Sequence, residues 1–160
     1  MITKEQKKEI VANLENAFSK SQSVVFSNFH GLTVAAASSL RRALRAEGVS
    51  YLVAKKTLVK RALDTLGFAG ERPAFDGELS IAYGDDLLSP ARGVYQFQKK
   101  LEGKISIVGG IFEGVYKSKE EITSLAMIPP LQTLRGMFVN IINSPVQRFV
   151  IALSQIAEKK

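Results

Sequence analysis

The sequence predicts an α/β domain, a mixed sheet with flanking helices, followed by an extended amphipathic C-terminal helix. Three observations carry this. Strand-like and helix-like patterns alternate from residue 24 onward, which implies strands joined by crossover helices. Pro129-Pro130 then makes a rigid joint after the last strand pattern. Beyond it, Leu131–Ala157 holds 15 apolar residues out of 27, many at i, i+3 and i+4 spacing. The boundary is therefore placed at the joint, with an α/β domain over 1-128 and a helical segment over 129-160.

The elements follow in order. Thr3–Phe18 reads as a helix, with Ile10, Val11, Leu14, Ala17 and Phe18 at helical spacing and Lys4, Lys7 and Lys8 on other faces. Those lysines suit either a solvated face or an RNA contact. Val24–Phe29 is β-branched and aromatic, hence a strand. His30-Gly31-Leu32-Thr33 is a turn, and Thr33 caps a helix to about Ala46, ended by Gly48. Arg41, Arg42 and Arg45 lie on it, a candidate phosphate grip because guanidinium is always charged and binds bidentately. Solvated arginines fit the pattern equally.

Ser50–Ala54 reads as a short buried strand, and Thr57 as the N-cap of a helix stopped by Gly67. Leu58, Val59, Ala62, Leu63 and Leu66 share one face, with Lys60 and Arg61 off it. Lys55 and Lys56 thus flank a helix N-terminus, where free N–H groups favour an anion. An ordinary strand–turn–helix with solvated lysines explains the same residues. Gly67–Gly77 is a Gly- and Pro-containing loop, Glu78–Tyr83 a strand, and Gly84-Asp85-Asp86 a turn leading to a helix over Leu87–Leu101. Asp85-Asp86 has no further carboxylate nearby, so it reads as a turn and helix start, not an acid–base pair. Ile105–Phe112 is a strand interrupted by Gly109-Gly110, consistent with a bulge. The glycines at 109 and 114 do not make a phosphate loop, because Val115 stands where Lys is needed. Ser118 and Glu121 match a capping box for a short helix to Met127.

In the tail, Asn143-Ser144-Pro145 leaves two possibilities, segments Leu131–Ile142 and Pro145–Lys159 or one kinked helix. Leu134, Met137, Phe138 and Ile141 map onto Val146, Phe149, Val150 and Leu153 at a shift of twelve. The candidate partner-binding residues are Leu131, Leu134, Phe138, Ile141, Ile142, Val146, Phe149, Val150, Leu153 and Ile156. Such a stripe either packs on its own domain or is covered by a partner. A membrane-surface helix is disfavoured by only four cations and no Trp.

Charge sharpens the picture. The net charge is +7, and residues 1–66 hold 11 Lys/Arg against 5 Asp/Glu. A polyanion is the natural partner of that excess, through phosphate neutralisation and counterion release. No apolar run approaches a membrane span, and the charged N-terminus shows no secretory h-region. With no Cys, thiolate and disulfide chemistry are excluded, and the single His30 argues against a His-based metal site or triad. No cofactor, metal or catalytic set is expected.

Several stretches together resemble one family, the bacterial ribosomal stalk-base proteins, the tenth protein of the large subunit. They are VVFSNFHGLTV, LRRALRAEGVSYLVAKKTLVKRAL, LSIAYGDDLLSPARGVYQF, ISIVGGIFEGV, ITSLAMIPPLQTLRGMF and SPVQRFVIALSQI, in the family's order and over nearly the whole chain. The resemblance implies a non-enzymatic cytoplasmic ribosomal protein. Its N-terminal domain would bind large-subunit rRNA in the GTPase-associated region, beside a neighbouring ribosomal protein. Its C-terminal helix would carry acidic stalk protein dimers that recruit translational GTPases, and the short tail suggests two such dimers. The RNA-binding candidates are Lys4, Lys7, Lys8, His30, Gly31, Arg41, Arg42, Arg45, Lys55, Lys56, Thr57 and Lys60. His30 stands where the family usually has Arg, Lys56 where it usually has Asn, and Gly77-Glu78-Leu79 also departs. The alternative is an adaptor, bound to RNA or a membrane, whose tail docks a different partner.

Overall fold

The computed structural model describes residues 4–75, 77–101 and 104–158. Thr3 and Lys159, predicted helix ends, lie outside them. The chain divides into two units, Met1–Ile128 and Pro129–Lys160. The first contains α1 (Lys4–Lys20), β1 (Ser23–Phe29), α2 (Val34–Ala46), β2 (Ser50–Val53), α3 (Lys56–Leu66), β3 (Glu78–Gly84), α4 (Ser89–Lys100), β4 (Ile105–Phe112), β5 (Val115–Lys117) and α5 (Lys119–Ala126). The second is α6 (Leu131–Glu158).

The α/β class holds, and the sheet runs β2-β3-β1-β4-β5. Its ladders are all antiparallel, not mixed, and the parallel contact Ala69–Val115 is an isolated bridge. The reason lies in where the crossovers land. The connection through α2 carries the chain from β1 to β2, which are parallel, but β3 sits between them. The connection through α4 likewise joins β3 to β4 across β1. Each crossover is split by an antiparallel neighbour, so the helix–strand alternation is real while no two parallel strands touch.

Helices cover both faces. On one, Leu14 and Phe18 of α1 and Val59, Ala62 and Leu63 of α3 pack on Val24, Phe26, Leu79 and Ile81. On the other, Leu40 and Leu44 of α2, Ala91 and Val94 of α4 and Ile122 of α5 pack on Val25, Ala82, Ile105 and Ile107. Period-two alternation sends Val24 and Phe26 one way and Val25 the other. Between the layers, Ser27 and Ser80 pair their buried hydroxyls at 2.9 Å, and Ser80 donates to the Ser27 carbonyl at 3.0 Å, so neither is left unpaired.

Two expectations are corrected. The sequence predicts a buried strand over Ser50–Ala54; β2 ends at Val53 and no residue in it is buried. It lies at the sheet edge, and a short apolar run cannot distinguish edge from centre. The sequence predicts Thr57 as the cap of α3; the N-cap is Lys55, whose carbonyl accepts from Leu58 and Val59 at 3.0 and 3.2 Å. Thr57 lies inside the first turn, and no side chain caps this end. Elsewhere the caps follow the sequence. Thr33 Oγ1 accepts from Ala36 N, Gly67 takes φ +61° and Ser118 with Glu121 closes a capping box. Val108 is the extra residue in the β1–β4 register, a bulge beside Gly109.

The β4–β5 hairpin has no counterpart in the predicted elements. Phe112 faces Val115 across Glu113-Gly114, both at positive φ (52° and 78°), the signature of a type I′ turn. In the second unit, α6 is one helical run of 28 residues with Pro145 inside it and no residue buried.

Candidate nucleic-acid interface

The sheet register sorts the loops by end. Phe29 pairs with Glu78 and with Ile105, and Val53 pairs with Ser80. The turn after β1, the exit of β2 and the starts of β3 and β4 therefore meet at one end. That end carries His30, Gly31, Lys55, Lys56, Gly77, Glu78 and Lys104, all exposed except the half-buried Lys56. At the other end Ser23 pairs with Gly84 and Phe112, and Ser50 with Tyr83. Glu47, Asp85, Asp86 and Glu113 are charged residues there. Among the described residues the fold thus gathers mainly basic groups at one end and mainly acidic groups at the other, which the sequence interleaves.

Each member of the basic end has a local cause. The backbone N–H of His30 donates to the Lys104 carbonyl at 2.9 Å, which ties the turn after β1 to the start of β4. Gly31 sits at φ +61°, a left-handed conformation that strains other residues. Gly77 sits at φ +72°, and a Cβ there would lie 2.6 Å from Asn28 Nδ2. The left-handed φ and the close approach to the Asn28 side chain both favour glycine here. Lys55 and Lys56 follow because β2 ends where α3 begins. With no side-chain cap, the free N–H groups of the first turn begin at two consecutive lysines, a combination that favours an anion.

Beside this corner lies an open groove of about 980 Å³. Its walls come from Ile10 and Asn13 of α1, Leu52 and Val53 of β2, Leu58 of α3, and Glu78 and Leu79 of β3. Leu52 and Val53 are 40% and 43% exposed because β2 has no further strand beside it.

The other sequence candidates are distributed more widely. Lys4 lies in the first turn of α1, and Lys7 and Lys8 are exposed just beyond it, at the end of α1 from which the chain runs toward the acidic end. Lys60 is exposed one turn after Lys56. Arg41, Arg42 and Arg45 are carried by α2, in the opposite helical layer from α3. Arg41 lies close enough to Tyr51 to oppose the rise in phenol pKa that burial causes, which places it beside β2. Arg45 is near the C-terminus of α2, its carbonyl bonded to Gly48 N at 3.1 Å, and so sits toward the acidic end. The fold does not gather the arginines into the lysine corner. Lys104 was missed because its neighbours become visible only through the β1–β4 pairing.

Asp86 is tied to the first residue of α4. Its carboxylate accepts from Ser89 N at 3.1 Å and from the Ser89 hydroxyl, which lowers its pKa. Among the described residues, no group of three His, Asp or Glu side chains could hold a metal ion.

On α6, Leu131, Leu134, Phe138, Ile142, Phe149, Leu153 and Ile156 fall within one sector at 100° per residue, flanked by Ile141, Val146 and Val150. All are exposed, from 39% at Leu134 to 70% at Ile141. Among the described residues no single helix is long and apolar enough to cross a membrane.

A sequence model described as ribosomal protein L10 matches residues 2–99. The chain is similar to the large ribosomal subunit protein uL10 of Shouchella clausii, 36% identical over 98% of this chain and 94% of the relative. It is similar to that of Rhodospirillum rubrum, 35% identical over 92% and 85%. It is likewise 36% identical to that of Clostridium tetani, over 94% and 87%.

Proposed function

The chain belongs to the ribosomal protein L10 family and is a structural, ribosomal constituent of the large subunit, and from that premise we propose that it forms the base of the ribosomal stalk. Its first unit, over 1-128, binds large-subunit rRNA in the GTPase-associated region beside a neighbouring ribosomal protein. Its second, over 129-160, anchors acidic stalk protein dimers through α6, and these recruit GTP-bound translation factors.

One observation carries this reading: cationic surface and bare apolar surface lie on different units. Lys55, Lys56 and Lys104 lie at the same end of a sheet with a well-filled core. The apolar sector of α6 is exposed along 28 residues. Phosphates suit the former. An apolar helical partner suits the latter, since a stripe this long in water is stabilised only when covered.

The RNA half is tested with full-length protein and its rRNA fragment across a salt series. Lys55→Ala with Lys56→Ala lowers affinity and reduces the salt slope by about 1–2, near one for each phosphate no longer neutralised. An unchanged slope would remove the corner from the interface. The protein half is tested by co-expression with the organism's acidic stalk protein and native mass spectrometry. The expected complex holds two acidic dimers per chain. Phe138→Asp with Phe149→Asp abolishes it while leaving RNA affinity unchanged, and retained capture would overturn the tail assignment.

A further inference from the structure

We infer that the groove beside the lysine corner receives an unstacked RNA base whose flanking phosphate lies on Lys55 and Lys56. This rests on the RNA reading above and adds what that reading lacks, a site for a base as well as for the backbone.

The groove has two chemically different parts. One end is bordered by Lys55, Lys56 and the uncapped start of α3, all favouring an anion. The remainder is walled mainly by carbon, from Ile10, Leu52 and Leu79, with the half-buried rings of Phe29 and Tyr83 also lining it. A phosphate alone has no use for that apolar length. A nucleotide has both components in one molecule, an anion joined to a flat, largely apolar ring. RNA recognition commonly takes bases out of the stack and lays them against aromatic or apolar side chains. At about 980 Å³ the groove is at the upper end of the usual ligand range of ~300–1,000 Å³, ample for a base and its sugar.

An acidic peptide also combines negative charge with apolar groups, and β2 is an open edge. Glu78 weighs against it. This exposed carboxylate lines the groove; it repels any anion, a phosphate included, but accepts from the exocyclic amine of adenine, cytosine or guanine, a donor edge that an acidic side chain lacks. Uracil offers only its ring N3–H as a donor, so the groove should favour the amine-bearing bases over it. Asn13, on the facing helix, offers both a donor and an acceptor.

The inference is tested on the full chain by filling the groove with Ala54→Phe, the probe being the rRNA fragment of the GTPase-associated region. Affinity falls about ten-fold, the scale of removing one base stack, while the salt slope stays at the wild-type value because the lysines remain. Wild-type affinity in a folded Ala54→Phe protein would overturn the base site. A normal slope loss in the Lys55/Lys56 double variant beside that result would leave the RNA reading standing, so the two failures are distinguishable. A second measurement avoids dependence on the filled variant. Leu52 replaced by photoreactive p-benzoylphenylalanine, in assembled large subunits, crosslinks to a nucleotide of the rRNA. Crosslinking to a protein instead, or to nothing, would overturn the inference.

Discussion

Phe26 and Phe138 are the same residue type in opposite circumstances. Phe26 is fully buried, its ring edge-on to Phe75 at 5.0 Å between centroids, with Val59 and Ile81 in the same cluster. Phe138 is 65% exposed on a helix that buries nothing. A buried ring stabilises the unit that contains it. An exposed ring in an apolar row adds nothing to its own fold, because the water it would release is released only when something else covers it. The first unit is therefore organised around its own core and the second around a surface it does not supply. An isolated helix draws little stability from propensity alone, and Pro145 removes one of its interior hydrogen bonds.

The sharpest way to break this contrast is to truncate both rings. Phe26→Ala leaves a cavity under the sheet and costs about 3–5 kcal/mol, enough to threaten folding of a domain this size. Phe138→Ala changes stability by less than about 0.5 kcal/mol, as ordinary surface substitutions do. Chemical denaturation followed by near-ultraviolet circular dichroism reads both. A destabilisation by Phe138→Ala comparable to that of Phe26→Ala would mean that α6 is covered within the chain.

Gly77→Ala probes the boundary between core and functional surface, with a smaller effect. The substitution must hold φ near +72° and place a methyl group within 3 Å of the Asn28 amide. The cost is about 1–3 kcal/mol. Because Gly77 also borders the groove, RNA affinity should fall with it, whereas Gly114→Ala, strained but open, should lower stability alone. If Gly77→Ala bound RNA as well as the parent, the loop after Gly67 would serve the fold only.

What the sequence disclosed and what it hid divide along physical lines. Local, short-range chemistry was legible. The helix faces of Leu58, Val59, Ala62 and Leu63, the Thr33 cap, the Gly67 stop and the Ser118–Glu121 box all depend on residues within a turn or two of one another. Properties set by distant pairing were hidden. The exposure of Leu52 and Val53 depends on β3 being the one strand beside β2. The approach of Lys104 to His30 depends on β4 lying beside β1. The Glu113-Gly114 turn was obscured for another reason: Glu at positive φ is uncommon, so only the glycine signalled it. Thr57 looked like a cap because its hydroxyl suits one, but the chain turns two residues earlier, at a lysine. The arginines of α2 lie close to Lys55 and Lys56 in sequence, but the sheet places α2 and α3 in different layers. The apolar row of α6 was legible throughout, since nothing outside the helix defines it.

A smaller destabilisation than that of Phe26→Ala or Gly77→Ala is expected at the last helix of the first unit, and it shows whether α5 is held by its own cap or by the core beneath. Ser118 Oγ accepts from Glu121 N, and Glu121 accepts from Ser118 N at 2.9 Å and from Lys117 Nζ at 3.0 Å. The Ser118 backbone bond, followed by Lys117, lowers the Glu121 pKa below the ordinary carboxylate value. A carboxylate held more acidic in the folded state stabilises that state once pH exceeds its unfolded value. The contribution disappears as pH falls through the lowered folded value. Ser118→Ala should cost about 1 kcal/mol, a typical cap loss. Glu121→Gln should be less stable than the parent at neutral pH, and the gap should close on acidification below the usual Glu range. Ile122, fully buried against the sheet, holds the same helix from beneath. If the gap persisted unchanged into acid, the ionised carboxylate would have no part in the cap, and packing of Ile122 would be what fixes α5 ahead of the Pro129-Pro130 joint.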